Sequence, residues 1–141
     1  KYASTLAPPT LLQMAVAELL ASGGYDRHLR RLRAAVAGQI ERMREAVGAL
    51  FPSGTRVSSP RGGFVLWVEL PSGVSGLELQ QRALARGIAI APGAIFSARD
   101  RFSSCIRLSC GLPWSDRLER AMHTLAELAH DAVSRSARRT A

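Results

Sequence analysis

Between Leu29 and Leu50 the apolar residues Leu29, Leu32, Val36, Ile40, Met43, Val47 and Leu50 recur at steps of three and four. That spacing follows the turn of an α-helix and leaves one uninterrupted apolar stripe. Arg27, Arg30, Arg31, Arg33, Glu41, Arg42, Arg44 and Glu45 occupy the other faces. Asp26 stands where a cap is expected, and Pro52-Ser53-Gly54 ends the pattern. A stripe of this kind packs on its own domain or runs as a strut between domains or subunits. A shorter helix is expected before it, opened by Pro8-Pro9-Thr10 and closed by Gly23-Gly24, with Leu11, Leu12, Ala15, Val16, Leu19 and Leu20 at helical spacing.

After Pro52 the period changes. Arg56-Val57-Ser58 is a short extended stretch, and Phe64-Val65-Leu66-Trp67-Val68-Glu69-Leu70 reads as a strand bounded by Gly62-Gly63 and Pro71-Ser72-Gly73. Phe64, Leu66, Val68 and Leu70 share one face; Val65, Trp67 and Glu69 share the other. Ser75 with Glu78 three residues on forms a capping box for a helix that stops at Gly87. Ile88–Ala91 is a short strand, 94–104 a loop, Cys105–Cys110 another strand, and Ser115 or Asp116 starts a last helix. The order α, α, β, β, α, β, β, α lacks regular alternation. It predicts an α+β fold: a small, largely antiparallel sheet with helices packed on it. The expected division is a helical segment at 1–54, the α+β domain at 55–133 and a disordered basic tail at 134–141.

The chain has 141 residues, enough for one domain with a core of its own. Its first residue is Lys1, which is read as the start of a fragment of something longer. No run is apolar enough to span a membrane, and there is no signal-peptide pattern. Cys105 and Cys110 are then expected to be free thiols in a reducing, cytoplasmic compartment. The net charge is +8, but residues 1–54, 55–113 and 114–141 carry +3, +4 and +1, so no segment forms a dominant basic block. Solvated helix faces account for this better than a nucleic-acid surface does. Lysine occurs once, at Lys1; every other basic residue is arginine. Chemistry that needs a lysine nucleophile or Schiff base is therefore excluded from residues 2–141.

Arg107 is the strongest candidate for function. It stands between Ile106 and Leu108 in an otherwise uncharged strand. Its planar fork of N–H donors fits a carboxylate through two parallel bonds, and a strand would hold it rigidly. The competing reading is a solvent-facing arginine or a partner for Glu69. Gly62-Gly63 and Pro92-Gly93 mark turns or close backbone approach. No phosphate-binding glycine motif is present. His28, His123 and His130 lack ligand partners at metal-binding spacing, and no nucleophile elbow accompanies them.

Three stretches in order resemble the C-terminal part of fold-type I pyridoxal-phosphate (PLP) aminotransferases. They are Arg61–Pro71, Gly87–Gly93 with Phe96-Ser97, and Cys105–Gly111. Gly24–Arg33 and Gly111–Trp114 are similar, more narrowly, to the aminotransferase-like domain of GntR-family transcription regulators of the MocR subfamily. The resemblance covers roughly residues 1–130. It implies the small domain of that architecture plus the long helix joining it to a large domain. It implies an upstream cofactor lysine, PLP in the full-length protein and none held covalently here. It implies that Arg107 binds a substrate α-carboxylate, that Gly63 lies in a loop near the substrate, and that Ser4 and Thr5 fall near a segment approaching the partner subunit's site. A full-length regulator of this kind is a homodimer, binds DNA through an N-terminal winged helix, and senses PLP or an amino-acid or amine effector. Val36 and Gln39 stand where many members carry Tyr and Arg. A second reading is the same part of a true amino-acid aminotransferase; a third is a self-standing α+β binding module.

The chain alone is expected to be catalytically silent. Incubation with PLP and borohydride should trap no adduct at residues 2–141, as read by peptide mass mapping; a stable internal adduct would overturn the assignment.

Overall fold

The computed structural model describes residues 9–99 and 101–140. The elements run α1 (Thr10–Ala21), α2 (Gly24–Leu50), β1 (Arg56–Val57), β2 (Val65–Glu69), α3 (Gly76–Leu84), β3 (Ala91–Pro92), a 3-10 helix (Gly93–Phe96), β4 (Cys105–Ser109) and α4 (Asp116–Thr140). The α+β reading and the order of elements stand. The chain divides into two compact units between Ala35 and Val36.

The first unit contains α1 and the beginning of α2. Gly23 turns the chain between them with φ of +68°, a left-handed conformation that side chains other than glycine adopt at a cost. None of the α1 residues is buried. The apolar stripe of α2 is continuous in sequence but not in burial. Leu32 is exposed, whereas Ile40, Met43 and Val47 are buried. α2 begins at Gly24, two residues before the expected cap, and Asp26 sits in its first turn.

In the second unit the four strands lie in the order β1-β2-β4-β3, each pair antiparallel. The central pair is β2 with β4, where Trp67 stands opposite Arg107 and Leu66 opposite Leu108. Strand alternation sends Leu66, Val68, Ile106 and Leu108 inward to a core shared with Met43 and Val47 of α2, Leu79 of α3, and Met122, Leu125 and Ala129 of α4. The edge strands β1 and β3 have two residues each, which limits pairing with other chains. Ile88–Ile90 does not form strand; pairing begins only at Ala91.

Two boundaries differ from expectation. The division falls in α2 rather than at 54/55, because Ile40, Met43, Val47 and Phe51 belong to the core of the second unit. Residues 134–140 continue α4 instead of forming a disordered tail. Arg135 pairs with Glu78 of α3 at 2.8 Å, and Arg138 and Arg139 sit in the last turn, where cations favour the helix dipole. The caps expected of the other helices are present. Ser75 Oγ accepts from the Glu78 amide at 3.2 Å, and Ser115 Oγ accepts from the Leu118 amide at 3.3 Å.

Leu125→Ala should destabilise the chain by roughly 2–5 kcal/mol through a core cavity. Leu11→Ala, at a position 79% exposed, should change stability by less than about 0.5 kcal/mol. Chemical denaturation of both variants tests the placement of the core.

Candidate carboxylate-binding site

Helices cover one face of the sheet. The other face carries Val65, Trp67 and Glu69 from β2, half-buried, and Arg107 and Ser109 from β4, exposed. Arg107 makes no ion pair among the described residues. Glu69, the carboxylate expected to compete for it, is taken by Arg56 directly across the β1–β2 pair. Arg56 Nε donates to Glu69 Oε2 at 3.2 Å, and Nη2 donates to Oε1. The hydrogen bond to Glu69, with its charge, raises the Arg56 pKa above the ordinary value. Two strands thus hold two arginines in different states: Arg56 forked onto a carboxylate, Arg107 with its N–H donors free of one among the described residues.

The surroundings of Arg107 are aromatic. Its guanidinium carbon lies 4.9 Å over the centroid of the Phe96 ring. Phe96 meets Trp67 edge to face at 5.6 Å, and Trp67 meets Phe102 in the same way at 5.2 Å. Phe96 reaches this position because the 3-10 helix lies against β4. A Cβ on Gly93 would collide with the Phe102 carbonyl and come within 2.8 Å of Cys105 Cβ, so only glycine permits that approach.

Gly63 has φ of +82° and open space where a Cβ would point. It lies beyond the end of β2, where the Cys110 amide donates to the Phe64 carbonyl at 2.7 Å. Gly63 thus belongs to the bend that leads into β2, the strand paired with β4. Ser4 and Thr5 lie outside the described residues.

The remaining candidates resolve into structural roles. Cys105 and Cys110 are free thiols and buried, and burial pushes the Cys110 thiol pKa upward, away from the reactive thiolate. No group of histidines, cysteines and carboxylates could hold a metal among the described residues. A His130 ring nitrogen lies 3.0 Å from the Leu50 carbonyl, a partner for one of the last carbonyls of α2. Among the described residues no helix is long and apolar enough to cross a membrane. An imine with PLP needs a lysine amine, which residues 2–141 lack; these residues do not fit a covalently held PLP. Phe96 and Phe102 carried no role in the sequence because 94–104 reads as a loop. The available signal was two aromatic residues in a loop entered through Pro92-Gly93.

The chain belongs to the aminotransferase class I and II family, whose model matches residues 1–125. It is 32% identical over 133 residues to YjiR, named as an uncharacterised HTH-type transcriptional regulator of Escherichia coli K12; the match covers 94% of the chain and 28% of the relative. It is 34% identical over 130 residues to YdcR of the same strain, similarly named, covering 92% and 28%. Among solved structures it is similar to LysN, the α-aminoadipate aminotransferase of Thermus thermophilus, complexed with N-(5'-phosphopyridoxyl)-L-leucine. That match has a TM-score of 0.74 at 30% identity and covers 94% of this chain and 34% of LysN. The chain spans about 28% of the length of the two curated relatives.

Gly93→Ala should destabilise the chain by about 1–3 kcal/mol, because the added methyl drives the 3-10 helix off β4. The near-UV circular dichroism of the aromatic group should change with it. An unaltered spectrum and midpoint would show that the 3-10 helix does not lean on β4.

Proposed function

We propose that this chain is the C-terminal, aminotransferase-like effector part of a PLP-dependent transcription regulator of the GntR/MocR type. In this reading Arg107 binds the carboxylate of an amino-acid effector, or of an amine effector that carries one. The observation that carries it is an arginine on a sheet strand, exposed, stacked on a ring and free of any carboxylate among the described residues, in a chain of the aminotransferase family. A guanidinium so placed offers two parallel N–H bonds to an incoming carboxylate without first breaking an ion pair to any described residue.

The names and coverage of the two Escherichia coli relatives support the regulator reading. In this proposal PLP is held by a lysine elsewhere in the full-length protein, DNA by a winged helix elsewhere in it, and the full-length protein is a homodimer. Residues 36–140 act as the small domain. The free, buried thiols support a reducing, cytoplasmic setting. The likeness to LysN favours a second reading, the same part of an amino-acid aminotransferase. Arg107 acts alike in both, and a winged helix in the full-length protein separates them. Family membership supports these two readings and lends nothing to an unrelated binding module.

In the full-length protein, Arg107→Lys keeps the charge and loses the planar fork. Calorimetric titration should show L-leucine binding weakened about tenfold or more, the loss of roughly 1.5 kcal/mol or more expected for a hydrogen bond to a charged group. Binding of L-leucinamide, which has no carboxylate, should change little. Equal affinities of wild type and variant for L-leucine would remove Arg107 from the site.

A further inference from the structure

An arginine on a strand has its backbone fixed but not its side chain. Four torsions separate Cα from the guanidinium, and an exposed Arg side chain gives up much rotamer freedom when it is held in one place. Among the described residues four arginines are held by carboxylates: Arg44 by Glu41, Arg56 by Glu69, Arg82 by Asp131 and Arg135 by Glu78. Arg107 has no such partner among the described residues. A carboxylate there would occupy the same N–H edge that a ligand needs. What holds Arg107 instead is a ring face, at 4.9 Å from the guanidinium carbon to the Phe96 centroid. A ring stacks on the flat of the guanidinium and leaves its edge open.

The ring is itself held. Phe96 ends the 3-10 helix that Gly93 lets onto β4, and its edge-to-face contact with Trp67 places it against the residue opposite Arg107 in the sheet register. Phe102 also meets Trp67 edge to face. The ladder Phe102, Trp67, Phe96 ends on Arg107.

We propose that Phe96 is a positioning residue for Arg107: its ring takes one face of the guanidinium, fixing the side chain while keeping the N–H edge free for a carboxylate. The inference rests on the carboxylate-binding reading of Arg107, but its first readout does not. Protons above an aromatic ring resonate upfield, so the Arg107 Nε–H signal in a nitrogen–proton spectrum of the whole chain reports the stacking directly. Phe96→Leu should move that signal downfield, and Phe96→Tyr should leave it near its original position. Titration with acetate as the probe should show affinity at Arg107 falling about two- to fivefold in Phe96→Leu, the factor expected of an exposed cation–ring contact, with recovery in Phe96→Tyr. An Arg107 signal and acetate affinity unmoved by Phe96→Leu would overturn the proposal. Stacking that responds to Phe96→Leu in a chain whose Arg107 ignores acetate would overturn the carboxylate reading and leave the stacking in place. Should Phe96→Leu fail to fold, the wild type decides: nuclear Overhauser contacts between the Phe96 ring and the Arg107 side chain are required, and their absence refutes the inference.

Discussion

The antiparallel pairing of β2 with β4 is the constraint on which the rest of the second unit depends. Its register sets Leu66 beside Leu108 and Trp67 beside Arg107 in successive pairs. The first pair faces the helices and the second faces away from them. Burial of Leu66, Val68 and Ile106, each fully enclosed, specifies that register strongly, because a slip of one residue would expose all of them. The position of Arg107 on the uncovered face is thus a consequence of the core on the opposite face.

The helices answer to the same constraint. α2, α3 and α4 contribute Met43, Leu79 and Leu125 to the covered side. Polar links tie α3 to α4 at the surface: Arg82 reaches both the Leu128 carbonyl and Asp131, and Arg135 reaches Glu78. Exposed pairs of this kind contribute little to stability singly. Arg135–Glu78 is the one among them that lies in the segment whose composition alone suggests disorder.

Most of the fold was legible because periodicity and punctuation agree. The strand Val65–Glu69, the Ser75 cap and the start of α4 follow from alternation, a capping box and a serine before an apolar stripe. What was not legible depends on tertiary packing. The α2 stripe has the same spacing before and after Ala35, yet only its later part is buried, since spacing tells which face is apolar and not what covers it. Ile88–Ile90 has strand composition without a paired neighbour. At the site, Arg107 was visible as an isolated charge in an apolar strand. The pairing of Glu69 with Arg56 was not, because it needs the register of β1. The stacking on Phe96 was not, because it needs a 3-10 helix inside a segment that reads as a loop.

Inner and outer residues alternate along one short strand, and this sets what kinds of length change the region can absorb. The connection between Phe96 and Phe102 carries neither of the rings that meet Trp67, so residues gained or lost within it alter a loop. A single residue gained or lost within Cys105–Ser109 reverses parity instead: it sends a guanidinium toward Leu66 and Val68 and turns a leucine outward. Related chains can therefore diverge in the length of that connection while the strand itself varies by substitution alone.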